Sequence, residues 1–191
     1  MLPRLREKFE SEVTKELATE FSIANTMALP RVDKIVISVG LGKQLEGTKI
    51  NPKAREQVIK DLTVISGQRP VMTKAKKSVS NFKLRAGYEI GSMVTMRGNR
   101  MWEFFDRLVS LAIPRIKDFR GLSKKGFDHK GNYSFGITEQ GVFPEVDIAN
   151  AVYTHGMNIT IVMSNSSPEI SKKLLASLGV PFAKPDSQKR N

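Results

Sequence analysis

The chain has 191 residues and no cysteine, which excludes disulfides, thiolate metal sites and cysteine nucleophiles together and suits a reducing compartment. A hydrophobic fraction of 40% fits a globular protein, and a chain this long buries about 70% of its unfolded surface. The formal net charge of +12 leaves nucleic acid, anionic lipid or an acidic protein as partner classes.

The opening MLPRLREKFESEV is charged from Arg4 onward and lacks an apolar signal core, so export is not expected and a cytoplasmic location is. No apolar run reaches the roughly 18 residues of a membrane span. Leu5, Phe9, Val13, Leu17 and Phe21 recur at steps of four and predict an amphipathic helix. In RVDKIVISVGLG, Ile35, Ile37, Val39 and Leu41 alternate with Lys34, Val36 and Ser38, the period of a strand. Asn51 as N-cap and Pro52 at the first position open a second helix, with Ala54, Val58, Leu62 and Ile65 inward and a stop at Ser66-Gly67. RPVMTKA reads as a short strand. GYEIGSMVTMRG reads as a longer one, with Tyr88, Ile90, Val94 and Met96 opposed to Glu89, Met93, Thr95 and Arg97. NRMWEFFDRLVSLAIPRI is the strongest helix, with Trp102, Phe105, Leu108, Val109 and Ala112 on or near one face and an end at Pro114. A Gly- and Lys-rich loop, IKDFRGLSKKGFDHKGN, precedes strands at YSFGITE and MNITIVMSN. A last helix is capped by Ser167, starts with Pro168 and closes at Gly179.

With no repeat and no dividing linker, residues 1–180 are expected to form one domain and 181–191 a flexible basic tail. The expected class is α+β: a two-layer sandwich, a largely antiparallel sheet with helices packed on one face and a long basic loop between two strands.

Charge is placed unevenly. Arg69 to Lys130 holds fifteen Lys/Arg against five Asp/Glu, whereas Gly131 to Ser171 has no Lys or Arg and carries Glu139, Glu145, Asp147 and Glu169. Two surfaces with different partners explain this, as does chance unevenness on solvated faces. Catalytic readings are thin. His129 reads as a solvated loop residue and His155 as a turn residue before Gly156, and neither belongs to a metal-ligand spacing, so no metal and no cofactor are expected. Gly40-Leu41-Gly42-Lys43 lacks the third glycine of a dinucleotide fingerprint and the spacing of a phosphate loop; a strand leaving the sheet through a flexible turn fits it better. Glu103-Asp106 and Asp118-Asp128 lie among basic residues and read as ion pairs.

Nucleic-acid binding has more content. TKAKKSVSNFKLRAG places Lys74, Lys76, Lys77, Lys83 and Arg85 in one connection without an acid. Phe82 among them either stacks on a base or anchors the loop from beneath. Thr95 and Arg97 share a strand face before Gly98, suited to RNA backbone and 2′-hydroxyl groups, although Thr95 is also an ordinary strand former. Gln68 and Arg69, at a helix C-terminus, could bond the same surface. Arg115, Lys117, Arg120, Lys124 and Lys125 read as a mobile basic loop. A nucleotide-dependent enzyme built on GLGK and a free-standing RNA chaperone or single-strand binder are the competing classes.

The motifs SGQRP, TKAKKSV, RGNRMWEFFDRL, PRIKDFRGL and FPE, in this order and at these intervals, resemble the bacterial form of the large-subunit ribosomal protein L-five family, over nearly the whole chain. The resemblance implies a non-catalytic protein that binds 5S rRNA in the central protuberance, beside large-subunit rRNA and other 5S-associated proteins, with no membrane and no small-molecule substrate. It implies RNA contacts at the positions of Ser38, Gln68 and Thr95; the family usually carries Asn at the first, and Ser38 keeps a hydroxyl while losing the amide's donor and acceptor reach. It further implies that the loop with Lys74, Lys76, Lys77, Phe82, Lys83 and Arg85 reaches P-site tRNA. Hydrated lysine charges suit a polyanion that must be approached and released. An inter-subunit bridge to a basic protein of the small-subunit head is implied as well, and charge complementarity would place it at Glu139, Glu145 and Asp147.

Overall fold

In a computed structural model of the protein, which describes residues 2–46, 49–149, 151 and 153–183, the period-two segment forms the longest strand, β1 (Arg31–Gly40). It is the centre of a five-stranded sheet. The strands β2 (Leu45–Glu46) and β3 (Lys49–Ile50) pair with each other as a small separate hairpin. Beside β1 lie β5 (Glu89–Met96) and β7 (Met157–Ser164), and outside them the edge strands β4 (Val71–Lys74) and β6 (Tyr133–Ile137), in the order β4-β5-β1-β7-β6. Every neighbouring pair in this sheet is antiparallel. The α+β class, the antiparallel sheet and the basic connection between β4 and β5 are as the sequence leads one to expect.

Helices cover one face. The N-terminal amphipathic stretch is α1 (Arg4–Lys8), a π turn over Phe9–Val13 and α2 (Thr14–Glu20); the Thr14 hydroxyl donates to the Phe9 carbonyl at 2.6 Å, satisfying an acceptor in the widened turn. In α3 (Pro52–Ser66), Asn51 Oδ1 accepts from the Lys53 amide at 2.9 Å, and Gly67 ends the helix at φ 65°. The remaining helices are α4 (Gly98–Arg107) and α5 (Pro168–Ser177), the latter capped by Ser167 through the Ile170 amide. Ile35, Ile37, Val39, Val94, Met96, Ile159 and Ile161 of the sheet share one core cluster with Leu17, Leu62, Phe104, Phe105 and Leu174 of the helices. The alternate strand residues lie outside it, so the sheet has one covered and one open face.

The strongest helix ends around Pro114 as expected, through a π turn (Leu108–Ala112) and a 3-10 turn (Ile113–Arg115) that accommodates the proline's missing N–H. Other expectations need correction. The tail does not begin at 181, because Leu122 N donates to Pro181 O and Ala183 N to Leu122 O, while Phe182 packs against Phe127 and Tyr133. Residues 184–191 lie outside the described residues. The basic segment after Pro114 is not a loose loop: Leu122 is buried, and Tyr133, whose phenol burial pushes up to about 12, donates to Ser123 O at 2.8 Å. Of the carboxylates read as ion pairs, Asp106 does meet Arg4 at 2.6 Å. Asp128 instead closes a turn, accepting from Asn132 Nδ2 and from the Lys130 and Asn132 amides; the Asn132 side chain is first among the causes that hold its carboxyl below the usual range.

Candidate nucleic-acid interface

Antiparallel register puts directly paired residues on the same face. One row of the open face therefore runs Val71, Met93, Ser38, Asn158, Gly136, and the next runs Thr95, Val36, Thr160, Ser134. Ser134 and Thr160 share a hydrogen bond of 3.0 Å across the sheet edge. Ser38 and Thr95 are half-buried, and their hydroxyls bond to no other described residue. Thr95 therefore displays its hydroxyl on an uncovered face. Arg97, just beyond β5, is exposed and unpaired among the described residues.

Gln68 reaches the same end of the molecule through the left-handed exit at Gly67. Ser66 Oγ donates to Leu62 O at 2.6 Å and accepts from the Gln68 amide at 3.2 Å, which fixes the backbone and leaves the Gln68 side chain unbonded among described residues. Arg69 beside it is exposed. Gln68, Arg69 and the β4–β5 side of the sheet are thus brought together by one short connection, with Pro70 buried between them.

The basic connection is an extension of the β4–β5 hairpin. Ala75 N donates to Tyr88 O and Gly87 N to Ala75 O; further out, Val79 and Leu84 form a bridge, and Ser80–Phe82 is a 3-10 turn followed by Lys83 at φ 52°. Lys74, Lys76, Lys77, Lys83 and Arg85 are all exposed and make no ion pair within the described structure. Phe82 is 70% exposed, which settles against its being an anchor under the loop.

The acidic stretch divides. Glu139 is exposed. Asp147 accepts from the Ala149 amide at 3.0 Å and stands next to exposed Ile148. Glu145, however, is tied into the fold: Arg107 Nη1 lies 2.6 Å from its Oε1, and Arg107 Nη2 donates to Ile65 O.

His155 is no turn residue at the surface. Its Nε2 lies 3.1 Å from Asp61 Oδ2 in the interior, its amide donates to Gln140 Oε1 at 2.7 Å, and the Gln140 and Gln57 side chains both donate to Tyr153 O. Burial first, and then the nearby Asp61 charge, push the Tyr153 phenol up to about 12. The group locks residues 153–155 to α3. His129 is exposed, and among the described residues no cluster of three or more His, Cys, Asp or Glu is placed to hold a metal. No described helix is long and apolar enough to cross a membrane.

Residues that sequence reading did not single out are Asn158, Thr160 and Ser134, which extend the polar face across β7 and β6. Their strands were recognisable, but only the pairing of β7 with β1 sets them beside Ser38.

An α+β scaffold with one sheet face left uncovered, two rows on it that carry four hydroxyls and an amide among apolar residues and no acid, and a cationic hairpin alongside defines a structural RNA-binding protein. Residues 25–85 match the family model described as Ribosomal protein L5, and residues 89–182 match the one described as ribosomal L5P family C-terminus. The chain is similar to the large ribosomal subunit protein uL5 of Anaeromyxobacter sp. (strain Fw109-5), with 50% identity over 95% of this chain and 99% of the relative. It is 49% identical to that of Thermoanaerobacter sp. (strain X514), over 96% of this chain and 100% of the relative. It is 47% identical to that of Ligilactobacillus salivarius (strain UCC118), with the same coverage. The chain belongs to the ribosomal protein L5 family, whose members are structural ribosomal proteins and not enzymes.

Proposed function

We propose that this chain binds 5S rRNA and helps attach it to the large ribosomal subunit in the central protuberance, beside large-subunit rRNA and other 5S-associated proteins. Ser38, Gln68, Arg69, Thr95 and Arg97 make the RNA contacts. The observation that carries the reading is the open face itself: Ser38, Thr95 and Gln68 project hydroxyl and amide groups that bond to no other described side chain from an antiparallel sheet and its adjoining turn. Such groups answer the 2′-hydroxyls and base edges of a folded RNA, while the cations position its phosphates.

The hairpin tip with Lys74, Lys76, Lys77, Phe82, Lys83 and Arg85 contacts P-site tRNA. The exposed acids Glu139 and Asp147, with Glu145 behind them, face a basic protein of the small-subunit head across an inter-subunit bridge. Opposite charge favours that encounter more than it tightens the contact.

The experiment is a salt titration of the full chain on 5S rRNA, with random RNA of equal length as competitor. If about six phosphates are neutralised, log K falls against log salt with a slope of about −5. Random RNA binding equally well, or a flat salt response, would overturn the reading.

A further inference from the structure

Ser38 and Asn158 are direct partners across β1 and β7, a relationship that sets Cβ atoms about 5 Å apart. With Gly40, Gly136, Gly156 and Thr138 they line a hollow of about 300 Å³ on the open side of the sheet. The glycines make the hollow. A Cβ on Gly136 would stand 3.2 Å from Asn158 Oδ1, crowding the amide where it now lies; one on Gly40 would meet nothing within 4 Å and would project into free space. Asn158 is exposed, and its amide bonds to no described residue.

We propose that this hollow receives one nucleoside of the bound RNA, its base edge or ribose hydroxyl held between the Ser38 hydroxyl and the Asn158 amide. The inference rests on the RNA-binding reading above and deepens it. Among the described residues no charged side chain lines the hollow, so it suits the uncharged part of a nucleotide and not its phosphate. A hydroxyl and a carboxamide together supply donors and acceptors in one place, which base edges and 2′-hydroxyls require. A volume of this size is at the lower end of ligand pockets, enough for a single unstacked unit. Continuity with Thr95 one row away, and the lack of any acid in both rows, favour RNA as the occupant.

The test uses the full chain and 5S rRNA. Asn158→Ala is expected to weaken binding about tenfold, the loss of a hydrogen-bonded reading contact, while leaving the slope against salt unchanged because no phosphate contact is removed. Gly40→Val, whose Cβ would meet no atom within 4 Å and which puts a strand-forming side chain at the rim of the hollow, is expected to do the same. Adding Ser38→Asn to Asn158→Ala is expected to restore most of the affinity by returning the amide from β1. Wild-type affinity in both Asn158→Ala and Gly40→Val overturns the hollow and leaves the RNA-binding reading standing. A shallower salt slope in Asn158→Ala overturns the assignment to a nucleoside in favour of phosphate. Failure of the wild-type chain to prefer 5S rRNA over random RNA overturns the underlying reading instead.

Discussion

Asp61 on α3 and His155 on the approach to β7 meet inside the protein, Oδ2 to Nε2 at 3.1 Å, with side chains 11% and 3% exposed. The contact joins positions 94 apart in the chain and ties α3 to the segment that leads into β7. A buried group that loses its partner bears its own desolvation penalty, so removal costs more than the bond contributes. Asp61→Ala should therefore lower the unfolding free energy by about 3 kcal/mol, equivalent to roughly 6–12 °C in Tm for a chain of this size. Asp61→Asn, which keeps an acceptor in place, should lose distinctly less. Urea unfolding of the three proteins with a common m-value measures this, and equal stability of the alanine variant and wild type would dismiss the tie as incidental.

That pair also shows what the sequence conceals. Periodicity is local, so β1, α3 and the aromatic helix α4 were readable from Ile35-Ile37-Val39, Ala54-Val58-Leu62-Ile65 and Trp102-Phe105. Thr95 and Arg97 were readable as an outward pair because alternation along β5 assigns the faces. His155 stands beside a glycine and reads as a turn because its partner lies on another element. Asn158, Thr160 and Ser134 carry no charge or motif, and join Ser38 and Thr95 only through the β1–β7–β6 register. Phe127 and Phe182 hold a segment whose lysines suggest solvent. In each case the missing information is a long-range pairing, not a residue type.

Glu89 is tied to Arg55 by hydrogen bonds of 2.7 and 3.3 Å, and the Arg55 bond is the main cause holding its carboxyl below the ordinary range. A carboxylate with a depressed folded-state pKa contributes stability that is present above its unfolded value, about 4.3, and is lost as pH falls through the lower folded value. The pair is 41% and 30% exposed, so solvent leaves it under about 1 kcal/mol. Glu89→Gln is expected to be slightly less stable than wild type at pH 7, with the gap closing as pH drops below about 4. Urea midpoints at pH 7, 5 and 3 follow this, and a gap of constant size would reject the ion pair as its source.

Glu145 and its acidic neighbours should separate in experiment. Arg107 joins Glu145 on one side and the Ile65 carbonyl on the other, so Glu145→Gln loosens the end of α4 from the distant loop that carries Glu145 and should cost about 1–2 kcal/mol of stability. Glu139→Gln, at an exposed position, should change stability by less than about 0.5 kcal/mol, and Asp147→Asn keeps the side-chain oxygen that accepts from the Ala149 amide. If the bridge reading is right, those two substitutions instead weaken association of ribosomal subunits at low salt. Subunit association measured by light scattering, set beside thermal melts of the isolated variants, distinguishes the roles. A stable Glu145→Gln protein with impaired association would reverse them.

Gln68 and Thr95 lie at the sheet and its adjoining turn, whereas Lys76, Lys77 and Phe82 lie out along the hairpin. The first pair presents hydrogen-bonding groups on a rigid frame. The second set presents hydrated charges and a ring 70% exposed, on a segment held at its far end by the Val79–Leu84 bridge. Hydrogen bonds on a fixed frame discriminate one RNA from another; mobile charges contribute affinity that is blind to sequence and sensitive to salt. Replacing Gln68 and Thr95 by alanine should weaken the 5S complex about tenfold or more and erode its preference over random RNA. Replacing Lys76 and Lys77 should reduce the salt slope by up to about 2 with little loss of preference. Phe82→Ala should leave the melting temperature within about 1 °C of wild type, since so exposed a ring contributes little to the core. On assembled ribosomes the hairpin substitutions, and not those on the sheet, should lower tRNA occupancy of the P site, measured by filter retention of labelled tRNA. The opposite ranking, with lysine variants losing 5S preference and the Thr95 variant losing tRNA, would mean that sheet and hairpin have exchanged partners.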